Sequence, residues 1–502
     1  MSEGFGNLGP AALAAVAFLL LAAWCFSHRR VDRSLAALGL YLGLLDGYLK
    51  LSTGSPFITL ARDVLVAAIA GGALLRAMHS GRPLALPPLG GLVLAFGAVV
   101  VVELFNPDAP SLTSGIGGIR QHLEFVPLFF LGYAFMRRES RVRKLLLVLV
   151  VCAAAGGVVS YVQSTLTPQQ FANWGPGYSE RILGTGAFAG APRVSSDETG
   201  VATNRPFGLG SDLGAGALAA VLGLPALIAM MVAQGGWRRV WLLPPAIGLG
   251  LAIATSGTRA ALVTAVVTGL CFTLIAAASR NALRATAGLA AAAILVYGAF
   301  NYLGPGNTTA KRAQSIAPTN VVTTFSTERA SSVAKFGEYA TNYPLGLGVG
   351  TVGPAAGALS DRPIATQALN SETQWNFLIL EVGIAGLGLF LAINLRLIAL
   401  ALTRIRRIAD HTMRLALAAL AAPLFGLVLQ GFAGPTTVSV PAAPYFWFVA
   451  GVLSYWLVTA RVEHPPATDG SQRIPERPSP QGSHSSRRQR ESTVRPPSLH
   501  PG

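Results

Sequence analysis

Charged residues are scarce in this chain. They make up 12% of its 502 residues, where soluble domains carry roughly 25%. Carboxylates are the scarcer kind, with 22 Asp and Glu against 38 Lys and Arg, for a formal net charge of +16. A soluble core large enough to bury so apolar a chain is excluded. Cysteine is nearly missing too. Cys25, Cys152 and Cys271 lie far apart in apolar runs, without metal-ligand spacing, so neither a disulfide framework nor a cysteine zinc site is expected. They read as small buried hydrophobes. The N-terminus lacks a basic stretch, and no clear cleavage site follows its first apolar run. That run reads as a retained span, not a removed signal peptide.

What the chain has instead is apolar length: 52% of it is hydrophobic, in runs long enough to cross a bilayer. About 13 candidate spans fall at 9–26, 34–52, 58–77, 86–105, 120–136, 144–163, 213–233, 240–255, 259–278, 285–302, 375–402, 413–433 and 443–460. The expectation is an all-α, polytopic integral membrane helix bundle of about 12–13 transmembrane helices with a large extracytoplasmic loop. The basic surplus sits in the short loops between spans and in the tail, as the positive-inside rule predicts, and no nucleic-acid module is visible. With "SHRRVDR" (27–33) placed in the cytoplasm, alternation brings "MHSGRP" (78–83), "RRESRVRK" (137–144), "WRR" (237–239), "SRNALR" (279–284) and "RIRRIADHTMR" (404–414) to the same side. Segments 164–212 and 303–374 then lie outside. Residues 1–462 form the membrane domain. Residues 463–502, rich in Pro, Ser and Arg, read as a disordered cytoplasmic tail able to touch anionic lipid.

The outer segments are where chemistry is expected. The second holds a helical pattern at "STERASSVAKFGEYA" (326–340), followed by the Gly-rich, uncharged "NYPLGLGVGTVGPAAG" (342–357). No Gly-Lys-Ser/Thr follows, so this is not a nucleotide-phosphate loop. Polar groups gather on the same face: Arg120 and His122, Arg205, Arg259 at an apolar span's start, Glu328 with Arg329, and Glu372. A guanidinium matches phosphate oxygens in geometry and keeps its charge. A pyrophosphate at the membrane surface would compensate an arginine such as Arg259. Each arginine also has a plain structural alternative, an ion pair or an interfacial snorkel. For Glu372 the alternative is a first-turn carboxylate on the helix dipole. For His122, a lone imidazole beside an arginine, the structural reading leads and a general base is second.

Three stretches carry a resemblance. "TSGTRAALV" (255–263), "YATNYPLGLGVG" (339–350) and "NSETQWNFLILEVGIAGLGLFL" (370–391) resemble, in this order, motifs of the O-antigen ligase and O-antigen or exopolysaccharide polymerase family of bacterial membrane glycosyltransferases. "NRPFGLGSD" (204–212) falls where that family has an Arg-containing loop. The resemblance covers roughly residues 200–400. It implies transfer of a glycan from an undecaprenyl-pyrophosphate carrier to an acceptor glycan or lipid, in the bacterial inner membrane and on its extracytoplasmic face, without nucleotide, metal or other cofactor. No Asp-x-Asp metal motif is present. Ligases often have a histidine where this chain has Asn370. Amide for imidazole removes a proton acceptor and favours the polymerase-like reading over ligase-type transfer. On that reading Arg259 and Glu372 are catalytic, Arg259, Arg205 and Arg120 bind the pyrophosphate, and Glu328, Arg329, Asn370 and His122 are in reserve. A transporter is the alternative from another class, motivated by the charges at Asp46, Arg62 and Asp63 inside apolar runs.

Overall fold

The computed structural model describes residues 8–81, 86–185, 194–196, 202–234, 236–256, 258–276, 330–353, 356, 369 and 371–460. The 285–302 span, the tail at 463–502, Glu328, Arg329 and Asn370 lie outside these residues. The chain builds a helical membrane bundle. Its helices are α1 (Leu8–Ser27), α2 (Val31–Leu40), α3 (Asp46–Thr53), α4 (Pro56–His79), α5 (Gly90–Val102), α6 (Leu112–Leu123), α7 (Pro127–Phe135), α8 (Glu139–Thr165), α9 (Pro168–Ala172), α10 (Pro176–Leu183), α11 (Ala215–Ala233), α12 (Leu243–Thr255), α13 (Arg259–Ile275), α14 (Ala330–Asn342), α15 (Gln374–Arg404), α16 (His411–Gln430) and α17 (Ala442–Ser454). Seven helical stretches are long and apolar enough to span a bilayer, and four more are shorter and apolar. Together they match eleven of the expected spans. A short antiparallel pair, β1 (Val194–Ser196) with β2 (Ala202–Asn204), is the exception to the helices.

One expected span is corrected. Residues 120–136 are not one helix but the end of α6 and all of α7. Pro127 opens α7 and cannot donate a helical hydrogen bond, and it disfavours helical geometry just before it. The turn leaves Glu124 beside Arg62. The helix also begins earlier than expected, at Leu112, with Ser111 accepting from the Ser114 N–H as its cap (3.1 Å).

Small residues bring the helices together, since lipid removes the hydrophobic incentive for helices to associate. A Cβ on Gly157 of α8 would sit 1.8 Å from the Gly248 carbonyl oxygen of α12. A Cβ on Gly451 of α17 would sit 2.0 Å from the Phe129 carbonyl oxygen of α7. The helix ends meet one another in two groups. At one end Arg141 pairs with Asp32 (3.4 Å), Arg406 reaches the Leu274 carbonyl (2.7 Å) and Trp456 the Met136 carbonyl (2.8 Å). At the other end Gly54 lies against Pro176, Gly47 against Gly210, Gly214 against Thr258 and Gly118 against Gly350. An apolar cap closes this second end, made by Leu51, Phe171, Tyr178, Ile182 and Phe207. Burial in that aromatic cluster pushes the Tyr178 hydroxyl well above its ordinary range.

Candidate functional site

The centre of the second end is a break in α15. Gly383 has φ +63° and ψ −170° in the middle of that helix, a backbone state essentially limited to glycine. The break frees the Leu380 carbonyl and the Ile384 N–H, which an intact helix would join to each other. The Gly-rich segment takes both: Leu347 N–H donates to the Leu380 carbonyl (2.6 Å), and Ile384 N–H donates to the Pro344 carbonyl (2.9 Å). No space remains for a side chain, as a Cβ on Gly383 would lie 2.6 Å from the Leu345 carbonyl carbon. "PLGLGVG" and "LEVGIAG" are therefore one structural unit.

Glu381 secures the rest of the loop from within the bundle. It is fully buried. One carboxylate oxygen accepts from the N–H groups of Gly350 (3.1 Å) and Val352 (3.0 Å), and the other meets His122 Nε2 at 2.8 Å. His122 stacks on Phe377, with ring centroids 5.2 Å apart. α6 closes on the loop from the other side. Ser114 Oγ donates to the Gly350 carbonyl (2.5 Å), and a Cβ on Gly118 would sit 2.3 Å from Gly350 N. A pair of N–H donors on one buried carboxylate is a strong, charge-assisted anchor. His122 meets the other oxygen of that carboxylate and so joins α6 to the same anchor.

Next to this unit lies a charge network. Arg62 of α4 holds the Glu124 carboxylate through both its Nε and its terminal nitrogen, the latter at 2.8 Å, and meets Asp46 at 3.4 Å. Arg120 binds Asp63 through Nε and again at 3.2 Å, with Glu124 at 3.9 Å. Two guanidinium groups and three carboxylates offset one another where single charges would be costly, although Asp46 Oδ1 is buried without a hydrogen-bond partner. Arg62 and Asp63, adjacent in sequence, point to different partners, as neighbours on a helix must. Arg120 is thus held by an acid of the fold itself.

The remaining expected residues gather around the C-terminal end of α16. Arg205 belongs to the loop 204–214, which Gln163 of α8 clamps. Its side-chain oxygen accepts from Phe207 N–H (2.9 Å) and Gly208 N–H (2.8 Å), and its amide donates to the Gly208 carbonyl (2.9 Å). The far end of that loop, Gly214, packs against Thr258, which precedes Arg259. Arg259 is the first residue of α13, and Thr258 provides no side-chain cap to that helix. One turn on, Thr264 Oγ1 meets Gln430 Oε1 at 3.1 Å. The neighbouring Gly431 carbonyl accepts from Gln374 N–H (2.7 Å) at the start of α15. Glu372 is exposed two residues before that start. Arg205, Arg259 and Glu372 therefore sit on elements that meet at one corner, whereas Arg120 and His122 belong to the α4–α6–α15 side.

Several organising residues carry weak signals in sequence. Gln163 is a lone amide near the end of an apolar span. Gln374 accepts from Thr437 N–H (2.9 Å) and donates to Thr437 Oγ1 (2.7 Å). Asn376 donates to the Ser332 carbonyl of α14 (2.7 Å). Gln163 leaves no mark beyond a polar residue inside an apolar run, whereas Gln374 and Asn376 lie within the 370–391 stretch without being singled out by it. Among the described residues no cluster of His, Cys, Asp and Glu has metal-site geometry. No protein-family model matches the chain, and no curated protein matches it in sequence.

Proposed function

We propose that the chain is a membrane glycosyltransferase of the polymerase-like kind, taking a glycan from an undecaprenyl-pyrophosphate carrier. The observation that carries this reading is the backbone pairing at Gly383. Two stretches that separately resemble the ligase and polymerase family form a single unit, and the other two meet at the same end of the bundle. That end is taken as extracytoplasmic, because the basic loops occupy the opposite one, in a bacterial cytoplasmic membrane with the C-terminus inside.

In the proposed reaction an acceptor hydroxyl attacks the anomeric carbon. The bond from that carbon to the pyrophosphate oxygen breaks, with inversion, and the electron pair leaves with the carrier. The first turn of α13 suits the leaving group, since an uncapped helix start offers N–H donors and positive potential to an anion. Arg259 adds a charge there, with Arg205 from the neighbouring loop. Fixed positive groups at a developing charge need no reorganisation as the bond breaks. Glu372 orients the hydroxyl and takes its proton. Arg120 plays a smaller part, because Asp63 already engages it.

The test is to delete the gene and size the undecaprenyl-linked glycans by mass spectrometry, with wild-type and Arg259→Ala chains restored in parallel. Accumulated single repeat units, rescued by wild type and not by Arg259→Ala, are expected. Long lipid-linked chains would instead mean ligase-type transfer. An unchanged carrier pool would overturn the reading and favour transport.

A further inference from the structure

The bundle encloses a second feature, at the basic end and away from the corner at Arg259. A cleft of about 150 Å³ runs between two packs of helices. On one side are α2, with the π-helical turn Tyr41–Leu45 that continues it, and α8, pressed together so closely that a Cβ on Gly43 would sit 2.5 Å from Cys152 Sγ. On the other are α7 and α17, locked through Gly132 and Gly451. Each wall presents one helical face, with Leu38 and Leu42, Val148 and Cys152, and Tyr445 and Phe448. The Lys144-to-Cys152 edge alone is about 12 Å long at the helical rise. Such a lining suits a hydrocarbon chain and offers almost nothing to a sugar.

The mouth has the opposite character. Asp32, Arg141 and Lys144 line it. The two loops around it, 27–33 and 137–144, hold eight Arg and Lys against two acidic residues, Asp32 and Glu139. Those two acids each pair with one arginine, Arg141 and Arg143, which leaves an excess of six positive charges. Arg29, Arg30, Arg33, Arg137, Arg138 and Lys144 are all exposed. Basic pockets between membrane helices on such a face recognise anionic head groups.

We infer that this cleft binds one anionic glycerophospholipid, with an acyl chain between α2, α8 and α17 and its phosphodiester at Lys144. The charge of the mouth selects the head group, and the apolar walls hold the chain. This site is separate from the proposed transfer reaction and stands whether or not that reaction is correct.

The experiment is a thermal-unfolding titration of the full chain in detergent, with phosphatidylglycerol or phosphatidylcholine of matched acyl chains added to the micelles. A lipid that binds the folded state raises the unfolding temperature by mass action. Phosphatidylglycerol is expected to stabilise at lower mole fraction than phosphatidylcholine. Lys144→Gln should raise its half-saturating mole fraction about fivefold. Val148→Trp, which fills the cleft and leaves the mouth intact, should abolish the effect. Arg407→Gln, an exposed basic residue of another loop, should leave it unchanged. Equal stabilisation by both lipids, or an undiminished effect in Val148→Trp, would overturn the inference. So would displacement of phosphatidylglycerol by an equimolar polyprenyl phosphate, which would assign the cleft to an isoprenoid carrier.

Discussion

Arginine occurs in two settings at the same end of this bundle. Arg62 and Arg120 enter the helical core on α4 and α6, and Asp46, Asp63 and Glu124 meet them there. Arg259 opens α13, a helix whose cap residue gives no side-chain acceptor to its first turn. In the first setting the chain provides both signs of charge, so each guanidinium is met by carboxylates of the fold itself. In the second, the helix start gathers donors where an anion is favoured. Charge inside an apolar run is therefore not by itself a sign of function. What separates the two settings is that acids from other helices meet Arg62 and Arg120, whereas the cap residue of α13 leaves that helix's first turn without a side-chain acceptor.

The sharpest way to break the comparison is at Gly383, which joins the Gly-rich loop to α15 and so supports both settings. Gly383→Ala forces a Cβ against the Leu345 carbonyl in a backbone region closed to alanine. Strain at such a position costs about 1–3 kcal/mol before the clash and the two loop hydrogen bonds are counted, so a total above about 4 kcal/mol is expected. Thermal unfolding in detergent should show a chain that is barely folded or not folded at all. Near wild-type stability would mean that the break in α15 is dispensable.

That joint shows how far the sequence could be read. The helical bundle was legible because apolar runs and basic loops obey bilayer physics locally, and most expected spans appear where hydropathy put them. The 120–136 segment failed because its hydropathy hides Pro127 and a buried Glu124. The two Gly-rich stretches were visible as motifs, yet nothing in either one says that they exchange backbone hydrogen bonds. The same holds for His122 and Glu381, which are 259 residues apart and meet at 2.8 Å. Partners brought together from distant helices leave no periodicity to read.

Next in size is the pair Arg62→Ala and Arg120→Ala. Arg62 has a side chain 10% exposed, and its loss strands Asp46 and Glu124 in the bundle. Removing one partner of a buried ionic group costs about 3–5 kcal/mol. The Arg120 side chain is 37% exposed and Asp63 24%, so solvent screens that pair and about 1 kcal/mol is expected. Unfolding temperatures should therefore fall much further for Arg62→Ala. Equal losses would show that the two arginines act as one indivisible unit rather than as a buried and a half-exposed pair.

The smallest effect on the fold is expected at Glu372, and there the comparison is at its sharpest. Glu372 is exposed at the approach to α15, and Thr373 caps that helix by accepting from Asn376 N–H at 3.1 Å. The helix start thus has its acceptor without Glu372. Glu372→Gln keeps the shape and the capacity to hydrogen-bond while removing the charge and the ability to take a proton, so at this exposed position stability should move by about 0.5 kcal/mol. Glycan transfer should nevertheless fall by about 10²–10⁴-fold, the range general-base catalysis contributes, in a chain with the unfolding temperature of wild type. If transfer persists at the wild-type rate, Glu372 is only a surface carboxylate near a helix start. The proton acceptor must then be sought elsewhere at the corner formed by α13, α15 and α16.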